Sequence, residues 1–480
     1  MAPNAVNYDW TGLGISRADS IKSGLLADDD LDPDRQREGD RYETLDERPD
    51  ELSSSLDRRH ERISAGPPFS FCGKTPRLRW LGRMLVFAAI LMAWADAGTQ
   101  VGRFHRARET LAAMFPSRRA VGKTFQGFSK GLLKVHSVLL EAVQVHLRNV
   151  LERMAGPYWT REGWPAFAID GSRIECPRTG ANESAFGTAG KKGCGPQMWL
   201  TTLWHMGTGL PWAWRQGRSD DCERRHLRDM LHLLPLGALV VGDAGFMGYE
   251  LQSEILASGR SFLIRIGSNV RLLQELGWVQ CHGLETVFLW PRKYRKQEPL
   301  VLRLIQLQRH GKTVYLLTNL EAAKLTGSQA SSLYAMRWGV EVFYRSLKQT
   351  LQHRTMRSRA PAQARAELAW SLVGLQLMGL MSVREMIAQK HDPLEWSVSA
   401  TRDLFRQAMS GSWPRRVAPK TWKNRLAACR KDNYVRTHDK TSRDWPDRKR
   451  AKPPGPPKIR MASQKEIQQA QKLRTKRQAA

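Results

Sequence analysis

The 480-residue chain reads as an α/β protein, a mixed sheet with helices, interrupted by a β-rich insertion and preceded by a small helical domain. Three features predict this. Strand-like and helix-like runs alternate between residues 161 and 260 and resume over 320–410. Only short strand-like runs fill 261–319, and before residue 160 the apolar period is helical.

Residues 1–72 are expected to be a disordered acidic leader. "LLADDDLDPDRQREGDRYETLDERPDE" has little to bury, and residues 1–60 carry 8 Lys or Arg against 15 Asp or Glu. "SAGPPFSFCGK" then marks a linker. Residues 73–160 hold three helical runs punctuated by Gly98, Pro116 and Gly131. Their basic polar sides suit a DNA-contacting domain, or equally a subdomain that only packs on the next. The apolar stretch Met84–Ala95 has twelve residues. A membrane span needs about 20, so this is a buried helix and no membrane partner is expected.

From "WPAFAIDGSRIECPR" onward the order is three strands, the helix "CERRHLRDMLHLLP", the buried strand "GALVVGDAGF" and the helix "GYELQSEILASG". Trp199, Trp204, Trp212 and Trp214 read as sheet core. The insertion comprises "SFLIRIGS", "ETVFLWPR", "VLRLIQLQ" and "TVYLLTN". Beyond it, one helix should run from Tyr334 to Lys348, and "AELAWSLVGLQLMGLMSVREMIA" should close the core. Residues 411–480 are a basic, Pro-rich tail, expected to be largely disordered at its end.

Lys plus Arg is 76 against 46 for Asp plus Glu, a net charge of +30. Such a chain works beside something anionic, with nucleic acid the first choice. The cysteines at 72, 176, 194, 222, 281 and 429 form no C-x-x-C pair. A reduced, cytoplasmic interior follows, with the cysteines as small core residues and no zinc site.

The chemistry is carried by "AIDGS", "VVGDAGF" and "YAMRWGVEVFYRSLK". Asp170 and Asp243 each follow an apolar strand, where α/β sheets gather their functional groups. Turned at about 100° per residue, Tyr334, Arg337, Glu341 and Lys348 fall at roughly 0°, 300°, 340° and 320°, with Arg345 on the edge of the same stripe. An ordinary amphipathic helix with an intrahelical Glu341–Arg345 pair is the plainer reading. If Asp170, Asp243 and Glu341 meet, their repulsion calls for a cation, and all-oxygen donors favour Mg²⁺ or Mn²⁺ over zinc. Two such ions can activate water and stabilise the leaving oxygen of a phosphodiester.

These residues, with Y-x2-R-x3-E-x6-K around the glutamate, resemble the DDE transposases of the insertion-sequence-four group. The resemblance covers roughly residues 75 to 400 and leaves the leader and tail aside. It implies a ribonuclease-H-like catalytic domain whose strand insertion precedes the glutamate helix. It implies Asp170, Asp243 and Glu341 as catalytic metal ligands for what would be two ions, and Tyr334, Arg337, Arg345 and Lys348 as DNA contacts. The expected function is cut-and-paste transposition, by a DNA-bound, nucleoid-associated dimer acting on double-stranded terminal inverted repeats and target DNA. A hairpinned element end is implied by the resemblance only. Relatives receive a flipped base on an insertion tryptophan, a role open to Trp290, for which a core position is the competing reading. The rival functions are a site-specific nuclease without strand transfer, a transposase-derived DNA-binding protein without catalysis, and a basic RNA-associated protein.

Overall fold

The computed structural model describes residues 80, 82–115, 122–188, 194–267, 277–279, 286–290, 292–309, 312–411, 421–432, 455–457, 460–461 and 463–478. The acidic leader and most of the tail's first half lie outside the described residues, as do Cys72 and Cys281.

The chain forms two units. Among the described residues, the first comprises those up to Val150 together with Ala369–Gly374 and 406–411. Its helices are α1 (Gly82–Trp94), α2 (Gln100–Met114) and most of α3 (Phe125–Ala155). All of α1 except Arg83 is buried, as its unbroken apolar run requires. Trp80, Phe104 and Phe128 form an aromatic knot with ring centroids 5.3–6.0 Å apart. The Trp94 indole N–H donates to the Gly374 carbonyl at 2.9 Å. This pins the returning segment to α1.

The second unit is built on β1 (Ala166–Glu175). β2 (Gln197–His205) pairs with it antiparallel, and β3 (Leu210–Arg218) continues the meander. β4 (Leu239–Gly242) lies parallel on the other side of β1, and β5 (Ser261–Ile266) lies parallel to β4. The order β3-β2-β1-β4-β5, with antiparallel and parallel halves meeting at β1, is ribonuclease-H-like. Phe167, Ile169, Val240, Phe262 and Ile264 are fully buried, which is why "AFAI", "LVVG" and "SFLI" read as continuous apolar runs. Connections run through α4 (Gly180–Phe186), α5 (Glu223–Met230) and α6 (Tyr249–Ala257).

The boundary of the insertion needs correction. "SFLIRIGS" is β5, a strand of the central sheet, because its apolar residues pair with β4 and are buried. The insertion therefore begins after it, with β6 (Gly277–Val279), β7 (Thr286–Leu289), β8 (Leu300–Arg309) and β9 (Lys312–Thr318). β9 returns antiparallel to β5, so the inserted strands extend one continuous sheet.

The helix expected over Tyr334–Lys348 is also different. α7 (Gly327–Met336) ends before Arg337, α8 (Trp338–Arg345) restarts after it, and Ser346–Thr350 is a π turn. Leu351 N–H reaches the Ser346 carbonyl five residues back, which widens the turn beneath Lys348. α9 (Pro361–Ala388) is long and apolar enough to cross a membrane, yet 94% of its most apolar window is buried inside the protein. It is a core helix.

α10 (Val398–Met409) and α11 (Thr421–Ala427) follow. The tail, expected to be disordered at its end, carries β10 (Arg460–Met461), which pairs with β6, and α12 (Gln464–Gln478). Ser463 and Glu466 cap α12 reciprocally, each side chain accepting from the other's backbone N–H. Ala470 and Leu473 pack on Phe288 and Trp290, and Arg295 pairs with Glu466 at 3.0 Å. Trp290 is fully buried, its indole N–H donating to the carbonyls of Tyr294 and Gln297. It is a core tryptophan here.

Trp204, Trp212 and Trp214 are core, whereas Trp199 is half-buried beneath the Arg173 guanidinium, 4.6 Å from its ring. Cys176 and Cys429 are buried as expected; Cys194 is half-buried and Cys222 exposed, because the latter sits at the solvent-facing start of α5.

Gly339 sets how closely α8 approaches the sheet. A Cβ there would stand 2.1 Å from the Trp204 ring. Gly339→Ala is expected to destabilise the protein by about 1–3 kcal/mol through overpacking. Chemical denaturation of Gly339→Ala, Trp204→Phe and the double variant checks this. The smaller ring should recover part of the loss, and strictly additive effects would refute the contact.

Candidate active site

The register of β1 and β4 brings the two aspartates together. Ala168 stands opposite Val241 in the parallel pair, and Asp170 and Asp243 lie two residues further along their respective chains. Side chains two apart share a face, and neighbouring strands lie about 4.8 Å apart, so both carboxylates come to the same side of the sheet. Asp243 leaves β4 and caps the 3-10 turn Ala244–Phe246, its Oδ1 accepting from Gly245 N–H at 2.9 Å. Asp170 does not end its strand. It sits inside β1, at the point where the shorter β4 stops, and its Oδ1 accepts from Gly171 N–H at 2.9 Å.

Glu341 arrives on α8. One turn further on, the Tyr344 hydroxyl donates to the Asp170 carbonyl at 2.8 Å and approaches the Leu200 carbonyl at 3.2 Å. This ties α8 across β1 and β2. The ion pair expected between Glu341 and Arg345 does not form; Glu341 pairs with Arg337 at 2.9 Å, and Arg345 is exposed.

Tyr334 is buried beneath the Arg337 guanidinium, 5.5 Å from its ring centroid. It supports Arg337 here and does not offer an open phosphate contact, because α7 turns its ring inward. Burial opposes the Arg337 charge, yet Tyr334, Glu341 and Asp170 around it raise its pKa above the usual value. The stripe read from sequence thus has its cation turned onto its acid. Lys348 Nζ donates to Ser172 Oγ at 2.7 Å on β1. Burial and neighbouring Arg354 lower its pKa. With Arg354 and Arg357 it lines a shallow depression of about 380 Å³.

A fourth carboxylate, missed in the sequence, faces the aspartates. Glu223 opens α5 and feels both Asp170 and Asp243 electrostatically. Burial, then the charges of Asp170 and Asp243, push its pKa to about 7. Burial raises Asp170 to about 6, with Asp243 and Glu341 adding to the shift against the Gly171 hydrogen bond and Arg337. The only cue available was an acid at the start of the helix after the third strand, a placement that a solvated helix N-terminus explains equally well.

Among the described residues, no three His, Cys, Asp or Glu side chains are gathered closely enough to cage an ion as they stand. The donor set nevertheless fits a hard divalent cation. It consists of carboxylates alone, partly desolvated and mutually repelling, so added positive charge would relieve it.

The second unit is thus a ribonuclease-H-like sheet with Asp170 inside its central strand and Asp243 just beyond the neighbouring one. Comparison with known proteins adds to this. The model of the transposase DDE domain family matches residues 163–376. Over 241 residues the chain is 27% identical to transposase InsG for insertion sequence element IS4 of Escherichia coli (strain K12), covering 46% of this chain and 54% of that protein. The alignment thus spans about half the length of that relative. The cryo-EM structure of the piggyBac transposase synaptic complex with hairpin DNA covers 82% of this chain and 85% of its own at 13% identity, with a TM-score of 0.34. Residues 163–376 thus carry a segment similar to the transposase DDE domain, and the chain is similar over about half its length to a transposase of an insertion sequence. The family generally uses divalent metal ions.

Folding raises the Asp170 pKa to about 6, so the folded chain holds that proton more tightly than the unfolded one. Its contribution is full at low pH and is lost as pH rises through about 6. In a chelator, Asp170→Asn should therefore gain stability over the parent as pH increases from about 5 to 8, by on the order of 1 kcal/mol. Thermal unfolding across that range tests it. A difference that stays constant with pH would refute the buried-charge assignment.

Proposed function

We propose that this chain is a DNA transposase that moves an insertion sequence by cut and paste. Asp170, Asp243 and Glu341 would be its catalytic carboxylates. The observation that supports the reading is the shared register of Asp170 and Asp243 on neighbouring chains of the sheet, with the Glu341 helix tied over β1 by Tyr344. Its substrate would be double-stranded DNA at the element's terminal inverted repeats, and then target DNA. Both ends must be held at once, so a dimer on DNA is the active form, working in the cytoplasm at the nucleoid.

The three carboxylates would hold Mg²⁺ or Mn²⁺, two ions in the complete site. When bound, the cations supply Lewis-acid polarisation of the scissile phosphodiester. The chain's own residues do the remaining work. Tyr344 holds α8 over β1, and Arg337 must release Glu341 before that carboxylate can turn to the aspartates. An incoming phosphate is a natural acceptor for the freed guanidinium. Lys348 and exposed Arg345 would keep the backbone in register, and Tyr334 supports Arg337 from beneath. Hydrolysis would leave a 3′-hydroxyl on the element. Positioned in line by these contacts, that hydroxyl would attack the next phosphodiester and displace its 3′-oxygen.

Asp170→Asn, Asp243→Asn and Glu341→Gln should each lower end cleavage by at least about 1,000-fold, since electrostatic stabilisation is usually the largest catalytic effect. Binding to a terminal-repeat duplex should stay within a few-fold of the parent. Cleavage that survives any of the three substitutions removes that residue from the catalytic set. A pre-cleaved end incubated with target DNA reports joining directly, and absence of joined product would make the protein a nuclease.

Lys348→Ala should weaken duplex binding and flatten the log–log salt dependence by about 1, the loss of one phosphate contact. An unchanged slope would leave Lys348 with only its structural tie to Ser172.

A further inference from the structure

Glu223 lies beside the two aspartates but outside the triad read from the sequence. It occupies the first position of α5, and the start of that helix is fixed from behind. Asp221 Oδ2 lies 3.1 Å from His226 Nε2, His226 Nδ1 lies 2.8 Å from Thr201 Oγ1 on β2, and Asp221 Oδ1 accepts from Cys222 N–H at 2.9 Å. The loop after β4 is tied to the same helix, for Arg224 Nε donates to the Gly245 carbonyl at 2.9 Å. Glu223 is thus held at a defined place.

That place is a cradle left by two glycines. Glu223 Oε1 stands 2.1 Å from where a Cβ on Gly171 would lie, and Glu223 Oε2 stands 3.6 Å from the equivalent point on Gly245. Gly171 follows Asp170 and donates to its carboxylate; Gly245 donates to the carboxylate of Asp243. One residue larger than glycine at 171 would expel Glu223 from between the aspartates. Among the described residues, the Glu223 carboxylate has no hydrogen-bond donor and no cation within ion-pair distance. The Trp199 indole N–H faces the same cradle, 2.9 Å from that Gly171 position, and is buried without a partner. Arg173 and Arg224 act on it only from a distance, and their effect is outweighed by burial and the two aspartates. A carboxylate placed beside two others, with no cation in ion-pair contact, is a poor structural element and a good ligand. Glu341, by contrast, already has Arg337.

We propose that Glu223 is a fourth carboxylate of the catalytic cluster, joining Asp170 and Asp243 to hold a divalent cation in the DNA-free protein while Glu341 stays paired with Arg337. This rests on the transposase reading only for the identity of the two aspartates. It divides the site into a half that binds its ion before DNA and a half that Glu341 completes after DNA displaces Arg337.

The test is Tb³⁺ binding to the full-length, DNA-free protein, read by indole-sensitised luminescence and by displacement with Mg²⁺. Asp170→Asn, Asp243→Asn and Glu223→Gln should each weaken binding about ten-fold or more, and Glu341→Gln less than about two-fold. Cooperative unfolding of each variant in chelator confirms that it is folded. Should Glu223→Gln not fold, Glu223→Asp, which keeps the charge but shortens its reach, should weaken binding by about three-fold or more. Parent-like affinity in the Glu223 variant overturns the inference, as does a loss in Glu341→Gln equal to that in Asp170→Asn. Neither result touches the proposed function, which fails separately if Asp170→Asn still cleaves DNA.

Discussion

Like charges crowded at the end of a sheet must be neutralised, and much of the second unit follows from how this chain arranges that. Asp170, Asp243 and Glu223 are held near one another by backbone features that cannot easily relax: a parallel strand pairing, a capped 3-10 turn and a helix start anchored to β2. Burial then raises the cost of their charge, lifting Asp170 to about 6 and Glu223 to about 7. Near neutral pH such groups are poised between holding a proton and holding a cation. The fold therefore builds a demand for positive charge into its centre. Arg337 meets that demand at Glu341 by a direct ion pair, while at Asp170 and Glu223 the nearby arginines offset it only in part.

Arg337, between α7 and α8, keeps helical backbone angles (φ −50°, ψ −33°), so the seating of α8 on the sheet comes from contacts further along it. Gly339 brings α8 within contact of Trp204, and Tyr344 fixes it to the Asp170 carbonyl. Below, the π turn re-aims Lys348 toward Ser172. Helix irregularities of this kind concentrate at functional sites because they direct side chains where the regular period cannot.

The central sheet was legible in the sequence for a simple reason. Strands buried on both faces must be apolar throughout, and "AFAI", "LVVG" and "SFLI" announce themselves. The aspartates were legible because each breaks such a run. Membership of β5 was not, since periodicity reports a strand but not its neighbour, and it went to the insertion. The orientation of Arg337 was equally hidden: a helical wheel places side chains on a face and says nothing about which partner they turn to. Glu223 was hidden because its significance depends on glycines 52 and 22 residues away in sequence, at Gly171 and Gly245. In the tail, by contrast, the "SQKE" capping signature was present and was outweighed by basic composition.

The same bookkeeping of charge separates the roles of the basic residues. A net charge of +30 explains attraction to a polyanion, but bulk charge cannot say which cations touch it. Arg337 is largely enclosed, raised in pKa by its surroundings and committed to Glu341; it acts on the electrostatics of the cluster before it could act on DNA. Lys348 is half-buried, its charge disfavoured by burial and by Arg354, so a phosphate at that rim would relieve a strain that water alone does not. Arg345 is exposed, so in the proposed complex its part would be long-range steering. Three cations that the sequence groups on one stripe thus differ in how much each gains from an arriving phosphate, and that difference, more than their number, sets the order in which a bound strand would engage them.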